Sequence, residues 1–283
     1  MQGSNGNLAN ADYASIMVAV DLGLAAAARV GLAGRLADRF SSHLIGVAAK
    51  AIPTPLYFET GVGTGPSIME LEEKRANEEF AQAEKLFRDA AGSRNSVEWR
   101  QASRPSAFFI CEQARAADLV IVGWHGPIDP PQGNLGVGPA DVIMQCGRPV
   151  LVVPPMQHSI FAERVVIAWK DSREARRAVA DSMTFLKQAK EVFVTLIRDD
   201  TDASGPDDVV AHLRRHAISA EPLIHAGRIT RDPADEILDI AAEKGADLVV
   251  CGAYGHSRMR EWVFGGVTRA LLNSSSVACL MSH

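Results

Sequence analysis

The chain has 283 residues, of which 47% are hydrophobic and 22% charged, with a formal net charge of −5. This is the balance of a globular protein of one large or two ordinary domains, and no apolar run reaches the roughly 18 residues a transmembrane helix needs. The charge divides as 13 basic against 16 acidic residues over 1–155 and 16 against 18 over 156–283. Neither half has the basic excess of a nucleic-acid binder, so neither a nucleic-acid nor a membrane partner is expected.

Residues 1–15, ending in NADYAS, are polar and lack the charged-then-apolar pattern of a signal peptide; they read as a flexible lead-in outside the fold. MVAVD, Met17–Asp21, is a short apolar strand ending on a carboxylate placed to cap a helix from Leu22 onward. The proline- and glycine-containing stretch Ala51–Glu70 reads as an inserted loop. AADLVIVGWHG, Ala116–Gly126, is a buried strand running into a loop, PIDPPQGNL, that Pro127, Pro130 and Pro131 stiffen. That loop carries Asp129 and no basic residue; Gly136 and Val137 follow it, and Gly138-Pro139 opens a helix. PPMQHS, Pro154–Ser159, is the natural linker.

Beyond the linker the pattern returns. VIAWK, Val166–Lys170, matches MVAVD at an offset of 149 residues, and GADLVVCGAYG, Gly245–Gly255, matches AADLVIVGWHG at an offset of 129. The difference of 20 falls in the Ala51–Glu70 insertion. Strand runs are expected at Val165–Trp169, Val192–Ile197, Glu221–His225, Asp247–Gly252 and Val277–Met281. Between them, Ser172 caps a helix that puts Ala175, Val179, Met183 and Leu186 on one face. Asp232, Pro233 and Gly245 cap, open and end another. Nearly all-apolar strands alternating with helices indicate parallel sheets buried on both faces. The sequence thus predicts two doubly wound α/β domains of five strands, residues 16–155 and 160–283.

Cys111, Cys146, Cys251 and Cys279 lie in apolar settings with no CxxC pair, the pattern of reduced thiols in a cytoplasmic protein. No third ligand accompanies the His212/His216 pair, and His125 and His256 have no carboxylate or Cys at matching spacing, so no metal site is expected.

The chemistry of such a sheet gathers outside the C-terminal strand ends. There the second half carries Gly252-x2-Gly255-x9-Gly265, then Gly266-Val267-Thr268 opening a helix. Gly252 and Gly255 would allow positive φ and close approach of a ligand. The helix's unsatisfied N–H groups would attract an anion, with His256, Arg258 and Arg260 adding charge. A structural turn is the alternative, with Trp262 and Phe264 as packing residues. Ser257 does not fit a nucleophile elbow, because Met259 stands where its last glycine belongs and only Glu261 and His283 follow as triad partners. Neither half has G-x-G-x-x-G after its first strand, so a dinucleotide dehydrogenase is not indicated.

The repeated glycine spacing, joined to an aspartate at the end of the first strand, resembles the universal stress protein family, here as two family domains in tandem over nearly all of Ile16–His283. The resemblance implies a flavodoxin-like strand order 3-2-1-4-5, a pseudo-dimer of the halves and a regulatory role in stress response. In ATP-binding members it implies that the aspartate contacts the adenosine end while the glycine loop wraps the phosphates. The second half keeps Gly252, Gly255 and Gly265 but has Gly266 at the family's Ser/Thr position, with Thr268 two residues on. Lys170 occupies the aspartate's place, with Asp171 beside it, and a cation cannot accept the hydrogen bonds a carboxylate would. The first half keeps Asp21, Gly123, Gly126 and Gly136 but has Val137 for Ser/Thr and an uncharged-to-acidic loop, which reads as a degenerate site. The expected ligand is ATP or AMP in the C-terminal domain, with Mg2+ if ATP, and at most slow hydrolysis. The alternatives are a family member that acts through protein contacts, as a homodimer or higher oligomer or with other partners, and one that binds another small anionic ligand.

Overall fold

The structure, a computed structural model, describes residues 13–52, 66–124, 135–198, 205–226, 232–255 and 266–283. The first half runs β1 (Ser15–Ala19), α1 (Ala26–Phe40), β2 (His43–Ala49), α2 (Pro66–Ala91), β3 (Val97–Ala102), α3 (Ser106–Gln113), β4 (Leu119–Gly123), α4 (Pro139–Gln145) and β5 (Val150–Val153). The second runs β6 (Arg164–Ala168), α5 (Arg173–Asp181), α6 (Met183–Leu186), β7 (Glu191–Arg198), α7 (Pro206–Arg215), β8 (Ala220–Ala226), α8 (Pro233–Lys244), β9 (Leu248–Gly252), α9 (Val267–Ser274) and β10 (Ala278–Ser282).

The strands form one sheet in the order β3-β2-β1-β4-β5-β10-β9-β6-β7-β8. Each half keeps the order third, second, first, fourth, fifth, but the two do not stand as separate five-stranded sheets. They are fused at their fifth strands, where β5 and β10 pair antiparallel with Val152 opposite Cys279 and Val150 opposite Met281. All other pairings among the described residues are parallel. The physical reason lies in the fifth strands themselves: VLVV and ACLMS are buried throughout and would be exposed apolar edges in isolated domains. Because the fused strands run in opposite directions, the C-terminal strand ends of the two halves lie at opposite ends of the sheet. The two switch points therefore open away from each other.

Helices cover both faces. One core layer joins residues of α1, α2, α5, α6 and α7 to one side of the sheet, and the other joins α3, α4, α8 and α9 to the opposite side. Three expected caps are present. Ser172 accepts the Ala175 N–H, Asp232 accepts that of Ala234, and Gly245 closes α8 at φ 62°. The helix expected after Ser172 is interrupted at Ser182, whose hydroxyl donates to the Val179 carbonyl and separates α5 from α6. The helix expected from Leu22 begins at Ala26 instead, because Asp21 Oδ1 accepts the Gly23 N–H at 2.8 Å and holds a turn there.

The folded chain starts earlier than residue 16. Tyr13 is buried in a cluster of edge-on rings with Phe40 and Phe185, and its hydroxyl donates to the Asp181 carbonyl at 2.6 Å. That contact ties the halves together, as do the bonds from Arg39 to the Phe161 carbonyl and Gln188. Of the Ala51–Glu70 insertion, residues 53–65 lie outside the described residues, and α2 reaches back to Pro66. Among the described residues, no helix is long and apolar enough to cross a membrane.

Candidate functional site

In the first half the switch point lies between β1 and β4, which pair directly. Asp21 follows β1 and is 3% exposed. Both carboxylate oxygens are engaged: Oδ1 by the Gly23 N–H, and Oδ2 by Arg29 Nη2 at 2.6 Å. Arg29 comes from α1, is equally buried, and also donates Nε to the Ala19 carbonyl at 3.3 Å. Its Nη1 stands 2.1 Å from the point a Cβ on Gly123 would occupy. Gly123 is thus small to admit the guanidinium, a neighbour the glycine motif does not announce. Gly136 is half-buried on the approach to α4, and Val137 is buried in the core rather than turned toward a ligand. The N-terminus of α4 carries Asp141 in its first turn, whose Oδ2 is 3.5 Å from the Cβ position of Gly138. A carboxylate there opposes a second anion. Gly126 lies outside the described residues.

The second half fills the corresponding space differently. Lys170 and Asp171 are exposed, and Asp171 pairs with Arg176 at 2.5 Å. Above Gly252 the backbone of α5 comes down onto the sheet, the Ala175 nitrogen 2.4 Å from the Cβ position and the Glu174 carbonyl carbon 2.6 Å. Beside Gly255 lies the buried Glu174 carboxylate, Oε2 3.0 Å from the Cβ position. Burial disfavours the charge of Glu174. Hydrogen bonds from Arg173, from its own backbone N–H and from Ser172 outweigh that and hold the carboxyl below its ordinary value.

Positive φ at Gly252 and Gly255, expected from the sequence, does not occur; Gly252 makes room for the backbone of α5, and Gly255 borders the tip of the Glu174 side chain. The left-handed residue is Tyr254 between them, at φ 57°. Its N–H donates to Thr268 Oγ1 at 3.3 Å, and Thr268 is buried, so this hydroxyl braces the glycine loop. Helix α9 then starts from Gly266, an extended N-cap with no side-chain cap, followed by half-buried Val267 and with no acidic residue in its first turn. Its leading N–H groups and exposed Arg269 form a positive end. His256, Arg258 and Gly265 lie outside the described residues, as do Ser257 and Arg260.

Sequence reading missed Arg29 and Glu174. Arg29 had a visible signal, since it stands on the apolar stripe of α1 with Ala26, Ala33 and Leu36. Glu174 had none, because an acidic residue in the first turn of a capped helix is ordinary. Among the described residues, no group of three or more His, Cys, Asp or Glu is arranged to hold a metal ion. The four cysteines are free, and burial raises the Cys111 and Cys279 thiols to about 11, which leaves them protonated and poorly nucleophilic at neutral pH.

The profile of the universal stress protein family matches residues 12–154 and again residues 162–283. The chain belongs to the universal stress protein family. It is a tandem member, with one family domain in each half. A universal stress protein from Archaeoglobus fulgidus is similar in structure, at a TM-score of 0.69 and 14% identity, over 95% of this chain and 96% of that one. A functionally unknown protein from Pseudomonas aeruginosa aligns at 0.52 and 16% identity, over 95% and 92%. At these identities the likeness concerns the fold. No curated protein matches the chain in sequence.

Proposed function

We propose that this tandem universal stress protein is a cytoplasmic regulatory binding protein whose ligand-bearing half is the C-terminal one, and that the ligand is an adenine nucleotide, ATP or AMP. The contrast between the two glycine-loop helices carries this reading. Helix α4 has Asp141 in its first turn, whereas α9 opens on uncapped Gly266 with Arg269 and no carboxylate. An oriented set of free N–H groups with a nearby cation suits a phosphate, each favourable charge contact adding about 0.3–1 kcal/mol. At the adenosine end Lys170 does not fit the family's carboxylate role, and its cation is better suited to an anionic group.

The test combines mass spectrometry of small molecules released from protein purified without added nucleotide with calorimetric titration of ATP, ADP and AMP. Gly266→Asp is the control, since it caps α9 and places a carboxylate where the phosphate would bind. Stoichiometric nucleotide that this variant loses supports the reading. No bound nucleotide and no heat at millimolar ATP sinks it.

A second reading, action through protein contacts without nucleotide, is favoured by the Glu174 carboxylate beside Gly255 and by Lys170. Gain of ATP affinity in Lys170→Asp, from none in the wild type, would point to it.

A further inference from the structure

In the first half the switch point is built around a buried cation. Three elements converge on the guanidinium of Arg29: Asp21 Oδ2 beyond β1, the Ala19 carbonyl at the end of β1, and the bare backbone of Gly123 at the end of β4. Two acceptors lie at its edge, and the missing Cβ of Gly123 leaves it room. Gly123 does not have positive φ, so its lack of a side chain serves space alone. Charges this buried persist when they are paired and hydrogen-bonded. A planar, weakly hydrated guanidinium with donors in a fixed fork suits such a slot, where a compact and strongly hydrated ammonium does not.

The second half omits both partners. At the 149-residue offset, Lys170 stands for Asp21 and Ala178 for Arg29. With no guanidinium to hold it off, the backbone of α5 occupies the space over Gly252. One half closes its switch point with a side chain and the other with a helix.

We propose that the N-terminal switch point is a guanidinium-binding site and that Arg29 is its resident ligand, supplied in cis. The proposal is independent of nucleotide binding in the C-terminal half. Removing Arg29 leaves a slot with a carboxylate, a carbonyl and space, and an external guanidinium refills it. A ligand that binds only the folded state raises its stability in a saturable way.

The experiment is thermal unfolding of the wild type, Arg29→Ala and the double variant Asp21→Asn/Arg29→Ala. Each is measured with methylguanidinium chloride and with methylammonium chloride, both at concentrations well below those that denature. Arg29→Ala should melt lower than the wild type and recover by several degrees, saturably, with methylguanidinium only. The wild type and the double variant should show no such recovery. If Arg29→Ala does not fold unaided, the same comparison is read as folded yield after refolding with each cation. Equal effects of the two cations on Arg29→Ala, or recovery that survives in the double variant, would overturn the proposal.

Discussion

Asp118 and Asp247 do the same work at the same place in the two halves. Asp118 Oδ2 accepts the backbone N–H groups of Ala14 and Ser15 at 2.9 Å each, and Asp247 accepts those of Phe161 and Ala162 at 2.5 and 2.9 Å. Each carboxylate precedes the fourth strand of its half and holds the chain entering the first, so the repeated ADLV motif is a clamp between neighbouring strands. Replacing either aspartate by alanine should cost about 1.5–3 kcal/mol, the usual worth of hydrogen bonds to a charged group. Urea unfolding of Asp118→Ala and Asp247→Ala measures it. An unchanged midpoint in both variants would show that the clamp is not energetic.

Tyr13 joins the halves through its ring and its hydroxyl, and the two contributions separate by mutation. Tyr13→Phe keeps the rings against Phe40 and Phe185 and loses only the bond to the Asp181 carbonyl, which should cost about 1 kcal/mol. Tyr13→Ala removes the ring as well and should cost about 3–5 kcal/mol. Burial, followed by the nearby charges of Asp181 and Asp118, raises the Tyr13 phenol well above its ordinary value of 10.0. The unfolded chain therefore ionises first as pH rises, and the wild type should lose stability above about pH 10. Tyr13→Phe should lose less stability than the wild type over that range, which unfolding curves from pH 8 to 11 would register.

The fold was readable because its signals are local and repeated. Ser172, Asp232 and Gly245 act where a helix-capping argument puts them. The central runs β4 and β9 are apolar throughout, as burial on both faces requires, whereas the outer strands β3 and β8 carry charged residues. What escaped depends on distance in sequence. Nothing local says that Val150–Val153 and Ala278–Ser282 pair into one sheet. Gly123 and Gly252 look alike as motif residues, yet one makes room for a guanidinium and the other for a helix backbone. A glycine's spacing records that something comes close and not what it is.

Glu174 gives a dependence on acid. Its carboxyl is held below the ordinary glutamate value of 4.5, with hydrogen bonds outweighing the burial that opposes them. A depressed folded-state value means that the stabilisation is present above about pH 4.5 and is lost as pH falls through the folded value. Glu174→Gln should therefore be less stable than the wild type at pH 7, with the gap narrowing between pH 4.5 and 3. A constant gap across that range would assign Glu174 a steric role only.

The glycines at the two switch points predict a graded series. At Gly252 an added methyl meets backbone, the Ala175 nitrogen at 2.4 Å, which can yield only by lifting α5 from β9. At Gly255 it meets the tip of the Glu174 side chain at 3.0 Å, which can turn away. Gly252→Ala should then cost about 2–3 kcal/mol and Gly255→Ala under about 1 kcal/mol, the range between forced overpacking and a tolerated contact. Gly123→Ala falls at the upper end too, because the guanidinium it displaces is buried and paired with Asp21. Combining Gly123→Ala with Arg29→Ala should cost less than the sum of the two single variants, since the first clash vanishes once the guanidinium is gone. Denaturant midpoints for the four single variants and the double variant test this. Strict additivity would mean that Gly123 and Arg29 do not share the space the structure gives them.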